Sequence, residues 1–376
     1  MTARDRFLAT IRFEPLDRPL KWEAGYWPDT LRQWAGEGLT GKADADFAEQ
    51  NELRDSVWRL FDFDEYYAFI PIQTRHLQPG FPEEVLEDHD SWQLIRNRNG
   101  AIEKVLSENE GIRAIVRGAV QNREDWERIK AEHLQPVLED RVAGDLDAII
   151  EGVRNGTRPI RGIQCEPWLN LGELLGLDEL LYNLAADPEF AHLMIRDLTE
   201  FFLSLTDQLL KRIVPDICWL GGDFCFKSGP MMSPEMFRTF LLPSFKEIAG
   251  LYRDYGVPCV MIHTDGDQRS LLPHFIEAGA TGSHPFEVTN CQLITEVRDA
   301  YPRFHIFGGL DKQAIARGPA SIDAELESKL PTMLAGGGYI PYMDHSVPPS
   351  VSWQNYRYYR TKLAELTRLY PFGNPR

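Results

Sequence analysis

Eight short apolar runs, separated by longer stretches of helical period, recur through the 376-residue chain and leave few architectures open to it. The runs cover 20–27, 67–72, 159–164, 216–222, 257–263, 281–285, 304–309 and 338–343, each with the length and apolar content of a strand. An amphipathic helix opens the chain, with Thr2 as its N-cap and Phe7, Leu8 and Ile11 on one face. Further helical patterns fill 172–212 (broken near Asp187-Pro188), 233–255, 268–278, 291–301, 322–335 and 353–369. Repeated strand-then-helix units predict an α/β fold, a single (β/α)8 barrel. The rhythm breaks between about 75 and 130, where VLSE, a turn at 109–111 and RAIVRG read as a β-hairpin followed by a helix at REDWERIK. This stretch is expected to be an insertion capping one end. With no low-complexity tract, internal repeat or Gly/Ser linker, 1–376 is expected to be one domain.

Forty Lys and Arg against 57 Asp and Glu give −17, a field that repels polyphosphate and argues against a nucleic-acid partner. No apolar run approaches the roughly 20 residues of a bilayer span, and the opening MTARDRFLATIRFEP carries charges where a signal peptide needs apolar residues. A cytoplasmic protein without a membrane partner is expected. Cys165, Cys218, Cys225, Cys259 and Cys291 are scattered, with no C-x-x-C pair, so reduced thiols are expected.

Barrel enzymes place their chemistry on the loops after the C-terminal strand ends. Here those loops hold Glu166, Asp223, His263, Asp265, Glu287, Asp311, Asp344 and His345. Any one of them alone suits a solvated loop charge or a helix cap, as Asp265 and Asp311 do just before helical patterns; so many on one rim point to function. His263 and Asp265, at i and i+2 of a strand end, project to one side and can share a metal. His345 would complete a nitrogen/oxygen triad with an open position, the arrangement of a catalytic rather than a structural metal; otherwise His263 simply bonds Asp265 or a carbonyl. Glu166, Asp223 and Glu287, with His345, are candidates for acid–base work, or else for ion pairs with Lys227 or an arginine of the barrel. Lys227 and Asp311 are candidate contacts to a small-molecule substrate, and Trp22, Tyr26, Trp27, Trp168 and Phe224 fall where they would wall its pocket. Gly336-Gly337-Gly338 precedes a strand, so it is a helix stop rather than a nucleotide loop.

RFLATIRFEPLDRPL, GGDFCFKSGPMMSPEMFRTFLLPSFKEI, HTDG, GGLDK and GGGYIPYMDHSVPPSVSWQNYRYY together resemble the uroporphyrinogen decarboxylase superfamily over nearly the whole chain. The resemblance implies a single (β/α)8 barrel and either tetrapyrrole decarboxylation or zinc-dependent methyl transfer with corrinoid proteins. True decarboxylases carry an arginine pair after the first strand that grips substrate carboxylates. The corresponding PLKWEAGYW holds Lys21 and Glu23 but no such pair, so eight-carboxylate uroporphyrinogen is disfavoured as substrate. His345 does match the decarboxylases' late histidine. The zinc methyltransferases have H-x-C and a second cysteine near the last strand, where this chain has His263-x-Asp265 and His345. The resemblance therefore implies a metal-assisted methyltransferase exchanging methyl groups with a corrinoid-binding protein or a pterin. The alternatives are a metal-free decarboxylase of a tetrapyrrole or smaller carboxylated aromatic, and a noncatalytic corrinoid-binding barrel.

Overall fold

The computed structural model describes residues 1–39, 47–106, 109–288, 293–370 and 372; Cys291 and the start of the helix expected at 291–301 lie outside these. Thirteen strands are described: β1 (Ala68–Phe69), β2 (Glu84–His89), β3 (Trp92–Arg96), β4 (Ile102–Leu106), β5 (Asn109–Arg117), β6 (Ile160–Cys165), β7 (Ile217–Gly221), β8 (Cys225–Phe226), β9 (Gly229–Pro230), β10 (Val260–His263), β11 (Gly282–Phe286), β12 (His305–Gly308) and β13 (Tyr339–Ile340). Seven of them pair in parallel, in the order β1-β6-β7-β10-β11-β12-β13, so seven of the eight apolar runs become one sheet.

The run at 20–27 behaves differently. It is extended but forms no regular strand, making only the isolated bridge Tyr26↔Val347. Besides that bridge, its bonds mix backbone and side chain: the Asp64 amide donates to the Lys21 carbonyl (3.1 Å), while the Met343 amide donates to Glu23 Oε1 (2.9 Å) and the Lys21 amide to Asp64 Oδ2 (2.8 Å). Among the described residues the regular sheet therefore has seven strands, with segment 20–27 joined to its neighbours by one bridge and scattered bonds.

Period-two alternation sorts the apolar residues into two layers. One set, including Trp22, Tyr67, Trp219, Met261, Phe307, Ile340 and Tyr342, packs inside the curled sheet, while the larger set packs between sheet and helices. The opening helix, Ala3–Arg12, starts at a Thr2/Asp5 capping box and turns Phe7 and Ile11 into the inner layer. The Ile11 carbonyl meets His305 Nε2 (2.9 Å) at the first residue of β12, so this helix closes the N-terminal end. Asp64 latches the pieces together, accepting from Arg6 (3.0 Å), from Arg18 (2.6 and 2.9 Å) and from the Lys21 amide.

The pattern at 172–212 resolves into three helices, Pro167–Leu175, Leu177–Ala186 and Pro188–Leu210, with Asp187 capping the third as the Asp-Pro break predicts. Asp311 caps Lys312–Ala316 through the Gln313 amide (2.8 Å). Asp265 caps nothing, since the next helix, Leu272–Ala278, begins seven residues later. The insertion is larger than a hairpin: β2–β5 form a four-stranded antiparallel sheet, followed by the helix Arg123–His133. The turn expected at 109–111 is instead the start of β5, and 107–108 lie outside the described residues. Cys165, Cys218, Cys225 and Cys259 are buried free thiols, and no helix among the described residues is long and apolar enough to cross a membrane.

Candidate active site at the C-terminal ends of the sheet

His263 is the last residue of β10 and pairs in register with Gly221 of β7 and His284 of β11. A Cβ at position 221 would lie 2.3 Å from the His263 carbonyl oxygen, so glycine alone lets β7 approach this closely. The His263 ring stacks on Trp219 (centroids 5.2 Å apart, planes 17°), and the same indole carries the Arg161 guanidinium 3.9 Å from its centroid. This stack aims His263 Nδ1 at Glu166 Oε1, 3.0 Å away. Glu166 stands at the N-cap of Pro167–Leu175 but makes no side-chain cap, which leaves its carboxylate to the histidine. Burial pushes the Glu166 carboxyl up, but the His263 hydrogen bond and charge outweigh it and hold the group below its ordinary range. Burial likewise lowers His263, and the Glu166 hydrogen bond and charge, with Asp223 and Asp265, raise it overall.

A second pair forms beside the first. The chain leaves β10 at Thr264, whose hydroxyl accepts the Phe224 amide (3.0 Å), so the alternation that would set Asp265 alongside His263 ends there. Asp265 Oδ2 lies 3.4 Å from His345 Nε2. That hydrogen bond raises the His345 pKa; on Asp265, the same bond and the histidine charges overcome burial and lower it. Glu287 accepts from the Gly266 amide (2.7 Å) and from Lys312 Nζ (2.8 Å), and Lys312 also reaches Asp344 (3.2 Å). Glu287 and Lys312 therefore clamp the β10 and β12 loops together. Asp223 differs from these acids: its Oδ1 is buried without a partner among the described residues, and burial, then the charge of Asp265, raises its pKa. His284 bonds the Tyr342 hydroxyl (2.5 Å), and burial holds it well below its ordinary value, so it stays neutral.

The remaining expected residues are spread more widely. Trp168 donates to the Asp223 carbonyl (3.2 Å) and lines a cleft between the mouth and β5. Trp22 is buried in the inner layer against Phe7 and Tyr67, Tyr26 bonds Tyr356 (2.8 Å), and Phe224 packs among Phe237, Phe245 and Phe275 under the helices. Trp27 and Lys227 are exposed, Lys227 at the β8–β9 turn, while Asp311 is occupied as a helix cap. His263, Asp265 and His345 do not converge on one point, because His263 turns to Glu166 and the other two pair with each other. Among the described residues no group of three or more His, Cys, Asp or Glu is arranged to hold a metal ion, so the expected zinc set does not fit. Sequence reasoning passed over Arg161, Trp219 and His284; the signal for Arg161 was a lone cation inside the apolar run PIRGIQ.

A model of the uroporphyrinogen decarboxylase (URO-D) family matches residues 105–364. The chain belongs to this family. Within it, the chain is 26% identical over 234 residues to a uroporphyrinogen decarboxylase of Idiomarina loihiensis, covering 57% of this chain and 61% of that protein. It is 26% identical over 125 residues to a methylated-thiol–coenzyme M methyltransferase of Methanosarcina mazei, covering 33% and 32%. The chain thus spans less than two thirds of either curated relative. A solved methyltransferase from Methanosarcina mazei superposes with TM-score 0.61 over 97% of this chain and 99% of that one, at 14% identity, which is a likeness of fold. The chain is a member of an enzyme family with both decarboxylase and methyltransferase relatives.

Proposed function

We propose that this chain is a small-molecule methyltransferase that works by acid–base catalysis at the mouth of a barrel whose eighth place is taken by segment 20–27. A corrinoid carried by a partner protein, or a pterin, would be the other methyl substrate. The observation that carries this reading is the pairing of each exposed-side imidazole with its own carboxylate, His263 with Glu166 and His345 with Asp265. When a methyl group leaves an oxygen, nitrogen or sulfur atom, the lone pair left behind needs a proton. An imidazolium oriented by a carboxylate supplies one near neutral pH. With Nδ1 engaged by Glu166, His263 would exchange protons through Nε2, while His345 serves a second position. Glu287 and Lys312 would hold the loops that carry these groups. No step is routed through zinc, which the side-chain arrangement does not fit.

A second reading, decarboxylation of a smaller carboxylated aromatic, is favoured by Asp223. A buried carboxyl with an unpaired oxygen and a raised pKa is suited to protonate the carbanion left when carbon dioxide departs. Uroporphyrinogen itself is disfavoured, because segment 20–27 brings no arginine pair. The test incubates the purified protein with chemically reduced cob(I)alamin and a panel of methyl ethers, thioethers and methylamines, following methylcobalamin by its absorbance. Methylcobalamin formation that is lost in His263→Ala is expected. Carbon dioxide release from carboxylated aromatics without any methyl transfer would replace this reading with the second.

A further inference from the structure

Arg161 leaves β6 toward the inner layer, where its guanidinium lies 3.9 Å from the Trp219 centroid and 4.6 Å from that of Phe69. Among the described residues its one hydrogen bond goes from Nη2 to Gln164 Oε1 (2.7 Å), Nε is buried without a partner, and no carboxylate pairs with it. Arg161 is half-buried, and a guanidinium partly withdrawn from water ordinarily meets a carboxylate, because leaving such a charge unpaired is costly. The two aromatic rings offset part of that cost. They do not fill the planar fork of donors.

The neighbours make the imbalance local. Arg161 borders a cleft of about 260 Å³ shared with Phe69, Gln73, Arg75, Gln164 and Glu166. The other charges there are already matched: Arg75 by Glu173, and Glu166 by His263. One positive charge is left over at the mouth of a chain whose net charge is −17. The Phe69 ring, 43% exposed, offers an apolar wall beside it.

We propose that Arg161 anchors a carboxylate of the substrate, a small planar molecule lying against Phe69 with its reacting end toward Glu166 and His263. This deepens the functional reading above and rests on it for the location of the reacting end, but it makes its own claim about binding. It places the anion site on β6, away from segment 20–27, where the sequence resemblance led one to look for arginines. A carboxylate accepts from the fork in two parallel bonds, while a carboxamide of the same shape meets donors with a neutral group and repels them with its own N–H.

The experiment titrates benzoate and benzamide into the full-length wild type, Arg161→Gln and Arg161→Lys by calorimetry, with near-UV dichroism to check each fold. The wild type is expected to prefer benzoate by about tenfold or more, the worth of one charge-assisted contact. Arg161→Gln is expected to lose that preference with benzamide affinity unchanged, and Arg161→Lys to bind benzoate more weakly than wild type because it keeps the charge without the fork. The lysine variant carries the test if the glutamine variant does not fold. Equal benzoate affinity in the wild type and Arg161→Lys or Arg161→Gln, or no benzoate binding by the wild type, overturns the proposal. No turnover is involved, so failure of methyl transfer leaves this result standing, and a failed titration leaves the methyl-transfer assay to be judged separately.

Discussion

Replacing Glu166 by Gln removes the charge that orients His263 while keeping the side chain's shape. Its Oε1 lies 3.0 Å from His263 Nδ1, and only 9% of its side chain is exposed, so water cannot easily replace it. A charge-assisted hydrogen bond of this kind contributes about 1.5–3 kcal/mol, a visible part of a total near 5–15 kcal/mol. The contribution has a defined pH window. His263 is raised in the fold, so its share is complete below the ordinary 6.5 and is lost as pH rises through the folded value. Glu166 is lowered, so its share is complete above the ordinary 4.5 and is lost as pH falls through the folded value. The variant should therefore lose about 2 kcal/mol near pH 5.5 and progressively less at pH 9, as the pH rises through the folded value of His263 and the imidazole loses its charge. Urea denaturation followed by circular dichroism reads both values, with m unchanged if the unfolding is the same. The His263 ring protons should also titrate at lower pH in the variant. Equal losses at the two pH values, or an unshifted His263 titration, would show that the two groups are not coupled.

Asp64→Ala severs the contacts to Arg6, Arg18 and the Lys21 amide, and should cost about 3 kcal/mol in the same urea assay; Arg6 keeps Asp17 and both arginines retain some solvent, which limits the loss. A loss under about 1 kcal/mol would mean that the latch contributes little. Truncation before Gly336 removes β13 and the helix Trp353–Leu369, leaving β12 as a bare edge. The whole chain is expected to unfold with it, whereas a 1–335 fragment with native-like near-UV dichroism would reveal an independently folding part. After chelation and reloading with zinc, the wild type, His263→Ala and His345→Ala are expected to show the same metal content by elemental analysis, because the two histidines belong to separate pairs. A selective drop in either variant would restore the shared metal site.

Seven strands could be read from the sequence because apolar content and flanking turns act locally: YAFIPI, DICWLGG and VPCVMIH favour extended chain whatever surrounds them. Asp187-Pro188 and Asp311 were equally legible, since a helix break and a cap depend on residues a few positions away. The polar rim could be read as well, because parallel strands fix which end of each run faces the loops. What the sequence could not decide was partnership across that rim. Two-residue spacing tied His263 to Asp265, yet β10 ends at His263, and beyond a strand end the alternation of faces no longer applies. The carboxylate that meets His263 is Glu166, 97 positions earlier, brought there because β6 and β10 flank β7 in the sheet. Segment 20–27 shows the same limit from the other side: its apolar content suits a strand, but in the fold it keeps one isolated bridge, and the Met343 and Lys21 amides go to the carboxylates of Glu23 and Asp64. Arg161 is the sharpest case, because no carboxylate among the described residues pairs with it, which is a property of everything that packs around it, and no stretch of sequence reports what is missing from a side chain's surroundings.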